Sequence, residues 1–272
     1  MDGTLYVVGT PIGNLSDLGQ RARETLASVR LVAAEDTRRT GRLLAGLGID
    51  VPMVSVFDAN EASRIPRIIA ALAEGDVALV SDGGMPLISD PGYRVVRAVI
   101  EAGGRVRVVP GPSAVVAALT VSGLPADRFV FEGFVPKKAG ERVARLAALA
   151  AEPRTIVCFE SPRRVRATLD AIVEVMGPGR PVAVCRELTK LHEDVVRGTA
   201  AEVASAIGEP RGEVVVVIGG APRPAADLDT AVQHARRLVG EGTGTREAAK
   251  RAAATTGASV NQVYAALVAG DG

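Results

Sequence analysis

The chain has 272 residues, enough for about two domains with separate cores. Apolar residues make up 47% and charged residues 23%, an ordinary balance for a soluble globular protein. Lys and Arg number 32 against 31 Asp and Glu, so no global positive field exists and any nucleic-acid site has to be a local patch; 3% aromatics and no Trp argue against a surface that stacks successive bases.

In chain order, Leu5-Tyr6-Val7-Val8 reads as a first strand running straight into GTPIGN (9–14). A helix over 17–29 and the strand Leu31-Val32-Ala33-Ala34 follow, ending in Glu35-Asp36. A glycine loop and an acidic strand end at this distance suggest a dinucleotide-binding domain. Pro11, however, stands where the second glycine of that fingerprint belongs, and no third glycine follows. A nucleotide-dependent oxidoreductase stays open only as an alternative.

The spacing next gives a helix over 37–48, a strand near 52–57 and an amphipathic helix marked by Ile65, Ile68, Ile69 and Leu72. Strand Val77–Val80 then enters SDGGMPLISDPG (81–92), where glycine and proline crowd the carboxyl end. Loops at the carboxyl ends of strands are where open α/β sheets bind ligands, and a bare, stiff loop lets backbone approach a small molecule closely. A helix over 94–102 and a strand over 106–109 lead to GPSA (111–114), with Pro112 placed for a first helical turn. Alternating strands and helices indicate an α/β sheet with flanking helices, domain 1–121.

VSGLPADR (121–128) reads as a linker. A second α/β domain, 122–222, has strands at 129–134, 155–160, 182–186 and 213–218, and helices near 141–151 and 163–176. Ser161-Pro162 reads as the N-cap and first position of the latter helix. APRPAADLD (221–229) is a proline-rich hinge. Domain 226–272 reads as three helices near 230–240, 245–256 and 260–269, the last with Ser259 and Gln262 spaced as a capping box. It is either a helix-turn-helix or a helical cap.

Cys158 and Cys185 sit in apolar runs and read as small buried hydrophobes in a reducing cytosol. With two His, no metal site is expected. The N-terminus lacks the pattern of a signal peptide and no apolar run approaches the roughly 20 residues that span a bilayer, so the expected location is cytoplasmic, with no membrane.

GTPIGNL, AEDTR, SDGGMPLISDPG, VPGPSA, FEGFVPKK, FESPRR and CRELTKLHE stand in order between residues 4 and 220. Together they resemble the signature segments of the ribosomal RNA small-subunit methyltransferase I family, a branch of the tetrapyrrole-methylase (class III) superfamily. The resemblance implies two α/β domains of the tetrapyrrole-methylase type with S-adenosylmethionine in the cleft between them, and a C-terminal helix-turn-helix domain. It also implies a homodimer that methylates a cytidine ribose 2′-hydroxyl at the decoding centre of 16S ribosomal RNA in the small subunit. Position by position it places the cofactor at Pro11, Met85, Pro86, Leu87, Ile88, Ser113, Ala114, Phe159 and Leu188. Met85 stands where other members often carry Thr or Ala.

Glu35, Asp36, Glu160 and Glu187 are the carboxylates inside these motifs, each a candidate base and each also suited to a salt bridge or a helix cap. The candidate RNA contacts are the basic clusters Arg38-Arg39-Arg42, Lys137-Lys138, Arg163-Arg164 and Arg246-Lys250-Arg251. Two alternatives remain: a tetrapyrrole methyltransferase of the same superfamily, and a non-catalytic RNA-binding protein.

Overall fold

The computed structural model describes residues 2–208, 211–222 and 227–269; part of the proline-rich hinge, 223–226, lies outside the described residues. The chain divides into two compact units, one ending at Gly219 and one beginning at Gly220.

The first unit opens with five parallel strands: Thr4–Val8 (β1), Leu31–Ala34 (β2), Met53–Ser55 (β3), Val77–Val80 (β4) and Arg105–Val109 (β5). Helices Gln20–Ser28 (α1), Thr37–Gly46 (α2), Glu61–Glu74 (α3) and Tyr93–Glu101 (α4) alternate with them. Leu26 and Leu44, from α1 and α2, pack on one face with Val8, Val32 and Val80. Ile68, Leu72, Val95 and Val99, from α3 and α4, pack on the other with Leu5, Val7 and Leu79. Burial on both faces explains why β2 and β4 are uninterrupted apolar runs. The strand order is β3-β2-β4-β1-β5. Dinucleotide-binding sheets instead place β1 next to β2, so the oxidoreductase alternative fails on topology. The order sets β4, β1 and β5 side by side, with the glycine-rich loops leaving their shared carboxyl edge.

The second sheet holds Phe129–Phe134 (β6), Thr155–Glu160 (β7), Pro181–Arg186 (β8), Asp194–Thr199 (β9) and Val214–Ile218 (β10), in the order β6-β7-β10-β8-β9. Only β6 and β7 pair in parallel. Its side chains alternate. Ile156, Cys158, Val182, Val184, Val214 and Val216 face the cluster built with Ala139–Ala148 (α6), Val165–Met176 (α7) and Ala200–Ala206 (α8). Val157, Ala183, Cys185, Val215 and Val217 face Val115, Ala118 and Leu119 of Ala114–Ser122 (α5). Thus α5 follows the first sheet in sequence but packs on the second. Cys158 and Cys185 are buried and unpaired, and burial pushes their thiols up to about 12 and about 11.

Two local expectations are corrected, and two elements are added. Helix α7 begins at Val165, because Ser161 donates its N–H to Glu160 and Pro162 falls in a turn before the helix. Pro112 precedes the N-cap Ser113 of α5 and so is not its first helical residue. Strand β9 and helix α8 carry no strong apolar signal, although Thr199 and Glu202 form a full capping box at the start of α8.

The second unit is three helices, Leu228–Gly240 (α9), Thr245–Thr256 (α10) and Val260–Ala269 (α11). Ala231, Ala235, Ala248, Ala252, Val263 and Leu267 form its core, and Gly257, at φ +73°, ends α10. No helix among the described residues is long and apolar enough to cross a membrane.

Candidate active site

The loops after β1, β4 and β5 meet the carboxyl ends of β7 and β8 and the segment entering β10 around a cavity of about 630 Å³. Its floor is backbone. Thr10 and Gly84 exchange N–H···O bonds of 2.9 and 3.0 Å, and Gly9 donates to the Val109 carbonyl at 2.9 Å. Gly9 and Gly111 touch so closely that a Cβ on either would stand within 2.8 Å of the other's backbone. Gly13 similarly abuts Leu188, Thr189 and Lys190 of the loop after β8.

Four non-glycine residues have φ in the left-handed region: Leu87 (74°), Ser89 (64°), Glu187 (52°) and Thr189 (67°). All four lie in the two loops that flank the cavity, after β4 and after β8. Such residues cost about 1–3 kcal/mol each and cluster where the surrounding structure needs a particular loop shape.

Of the sequence-predicted cofactor residues, Pro11, Met85, Ile88, Ser113, Ala114, Phe159 and Leu188 line the cavity. Pro86 and Leu87 do not. Pro86 is buried, and the left-handed turn at Leu87 sends its side chain against the core of the first sheet. Phe159 stands edge-on to Phe131 and Phe134, with ring centroids 5.0 and 5.5 Å away, so its ring is held in place.

The four candidate carboxylates take different places. Asp36 caps α2 by accepting from Arg38 N–H at 2.8 Å, and the Arg38 side chain holds its carboxyl far below the usual range. Glu187 accepts from Lys190 Nζ at 2.8 Å and from Glu213 N–H at 2.9 Å, which ties the loop after β8 to β10. Glu160 contributes to the wall, yet its carboxylate is enclosed by Thr168 Oγ1, Ser161 N–H and Arg164, each at 2.6 Å. Removing it strands a largely buried guanidinium. Glu160→Ala is therefore expected to cost about 3 kcal/mol in urea unfolding, and Glu160→Gln less.

Of the four, Glu35 combines a place on the wall with a perturbed carboxyl, raised mainly by burial. Its Oε2 accepts Asp82 N–H at 3.1 Å while Asp82 Oδ1 accepts Asp36 N–H at 3.1 Å, a reciprocal clasp between the ends of β2 and β4. Asp90, also on the wall, is pushed up to about 6 by burial first and then by the charges of Glu35 and Asp82. Asp82 and Asp90 lie inside SDGGMPLISDPG, whose glycines and prolines signal backbone contacts while its carboxylates carry no local pattern of their own. Among the described residues no group of three His, Cys, Asp or Glu is arranged to hold a metal ion.

The basic residues also separate. Arg39 lines the main cavity and pairs with Asp82 at 3.2 Å, and with Arg42 it lines a smaller cavity alongside. Arg38 is closed onto Asp36, Lys138 onto Glu141 and Arg164 onto Glu160. Lys137 and Arg163 are exposed. In the second unit Arg246 and Lys250 are exposed on α10, and Arg251 pairs with Glu247 at 3.2 Å.

Comparison with known proteins adds to this geometry. The family model described as Tetrapyrrole (Corrin/Porphyrin) Methylases matches residues 4–204. The chain is 47% identical over 271 residues to the ribosomal RNA small subunit methyltransferase I of Mycobacterium tuberculosis, covering 98% of this chain and 95% of that one. It is 43% identical to the protein of that name from Escherichia coli O157:H7, covering 96% and 93%. Among solved structures, uroporphyrin-III C-methyl transferase from Thermus thermophilus, complexed with S-adenyl homocysteine, superposes with a TM-score of 0.56 at 21% identity, over 80% of this chain and 97% of that one. That likeness carries the fold.

Proposed function

This chain belongs to the tetrapyrrole methylase family, alongside the ribosomal RNA small subunit methyltransferase I proteins, and from that premise we propose that it methylates a cytidine ribose 2′-hydroxyl at the decoding centre of 16S ribosomal RNA, using S-adenosylmethionine. The observation that carries this reading is the near-full-length identity to proteins of that name. The cavity supports it. Its volume, about 630 Å³, lies within the range of small-molecule sites. Met85, Ile88, Phe159 and Leu188 offer apolar surface to an adenosine, the glycine loops offer backbone groups, and Glu35, Asp82 and Asp90 suit a cationic ligand.

When bound, the cofactor supplies an electrophilic methyl group on a sulfonium. The chain's part is to align an acceptor oxygen, exclude water and take up the hydroxyl proton. Alignment in a fixed cleft contributes through lost freedom already spent on folding. A positioned base adds about 10²–10⁴-fold. Asp90 is the acceptor the geometry favours: it lines the cavity, makes no ion pair among the described residues, and is ionised at neutral pH.

That placement lowers stability. A carboxyl whose folded value is raised binds its proton more tightly in the native state. Its stabilising contribution is therefore complete below about 3.8 and lost as pH rises through about 6. Asp90→Asn should be more stable than the parent at pH 8 by on the order of 1 kcal/mol, given partial solvent screening, and alike at pH 4. Turnover should fall about 100-fold. A variant that gains no stability at pH 8, or keeps full turnover, contradicts this role.

The helical unit is proposed to bind RNA through Arg246, Lys250 and Arg251. Neutral replacement of all three should leave cofactor affinity unchanged and weaken small-subunit binding, reducing its salt dependence by about one unit per lost phosphate contact. Parent affinity and salt dependence would make the unit a structural cap. We also propose a homodimer, checked by sedimentation. The acceptor atom is tested by digesting methylated subunits to nucleosides: 2′-O-methylcytidine is expected, and a base-methylated nucleoside overturns the reading.

A further inference from the structure

A smaller cavity of about 250 Å³ opens beside the first, and Pro11, Leu15, Arg39 and Asp82 line both. Arg42 lines the smaller one only. The two arginines are three residues apart on α2, so their guanidinium groups share one face of the helix. Like charges so placed repel unless an anion lies between them. Asp82 does not fill that role for both. Its Oδ1 accepts Asp36 N–H and its Oδ2 accepts from Arg39, which retains further donors. Arg42 is exposed and has no ion pair among the described residues. Arg38, on the same helix, is closed onto Asp36 and lines neither cavity.

Charge therefore changes across the shared wall. The larger cavity sets Glu35, Asp82, Asp90, Glu160 and Glu213 against Arg39 and Lys190, while the smaller one carries two arginines against one carboxylate. Leu15, 70% exposed, stands on the divide. We propose that the smaller cavity holds a phosphodiester of the RNA strand next to the acceptor nucleotide, gripped by Arg39 and Arg42, with Leu15 as the apolar step over which the ribose enters the larger cavity. Paired N–H donors of a guanidinium match phosphate oxygens, which suits two arginines lining one small cavity to a phosphate grip. This rests on the reading of the chain as an RNA methyltransferase.

The test uses isolated small ribosomal subunits and the full chain, with Arg42→Gln, Arg39→Gln and, as control, Arg38→Gln. Arg42→Gln should weaken subunit binding about 10-fold and lower the log–log salt slope by about one. Cofactor affinity, measured by calorimetry, should not change. Arg39→Gln should weaken subunit binding at least as much, and Arg38→Gln should bind as the parent does. Parent-like binding by Arg42→Gln overturns the proposal, as does an equal loss in Arg38→Gln, which would mean a diffuse field. Inorganic phosphate that competes with subunits at equal phosphate concentration would overturn the strand assignment in favour of a free anion. Methyl transfer by the parent is measured in parallel. Transfer to RNA together with normal binding by Arg42→Gln sinks the phosphate grip alone, whereas a parent that methylates no RNA sinks the underlying function as well.

Discussion

Gly9→Ala should abolish measurable cofactor binding, lowering affinity at least ~100-fold, and cost about 2–3 kcal/mol of stability, in the range of overpacked cores. The added Cβ would stand 2.7 Å from Gly111 N and Cα and from Met85 Sδ. The methionine can move, but the backbone at Gly111 cannot easily do so. Gly9 donates to the Val109 carbonyl, and β1 and β5 are in register from Thr4↔Arg105 to Val8↔Val109. Relieving the strain requires the backbone at Gly9 or Gly111 to shift at the floor of the cavity. Gly111→Ala should reproduce the result from the other side, since its Cβ would meet Gly9 backbone at 2.8 Å. Gly46→Ala, where nothing lies within 4 Å, is the control and should be neutral or stabilising, because alanine favours a helix over glycine. Calorimetry and urea unfolding of the three variants decide it. A Gly9→Ala protein that binds cofactor normally would remove the floor of the cavity from the site.

Ser113→Trp separates binding from folding. Ser113 is the N-cap residue of α5 but makes no side-chain capping bond, so replacing it loses no hydrogen bond. Its backbone is extended, at φ −141°, which tryptophan adopts without strain. The residue lines the cavity, and an indole there would fill part of that space. Cofactor affinity is expected to fall at least ~100-fold while the melting temperature stays within a few degrees. Unchanged affinity in a folded variant would place the ligand away from α5.

Much of this fold is readable in the sequence where strands are buried on both faces. VALV and LVAA are short continuous apolar runs with a turn or a helix start directly after them, and the glycine-rich loop after VALV lies at the cavity. Strand β9 is different. DVVRGT is exposed or half-buried along its length, at a sheet edge, so it lacks the apolar signal of its neighbours. Helix α5 is apolar almost throughout, which tells of burial but not of which sheet buries it. The cavity walls divide in the same way. Met85 and Ser113 stand in loops whose composition invites a ligand. The clasp of Glu35 with Asp82 joins residues 47 positions apart and exists because β4 inserts between β2 and β1, a topology that no local pattern encodes. Leu87 shows the converse limit: a position inside a motif can have its side chain turned into the core by a left-handed backbone.

The most direct test sets the two acceptor classes of the family side by side. The full chain is incubated with methyl-labelled S-adenosylmethionine and either isolated small ribosomal subunits or uroporphyrinogen, and label is followed into each. Incorporation into the 16S RNA of the subunits, with none in the tetrapyrrole, is the expected result. Label in the tetrapyrrole, or in neither acceptor despite bound cofactor, would contradict the reading of this cleft as the site of RNA methylation.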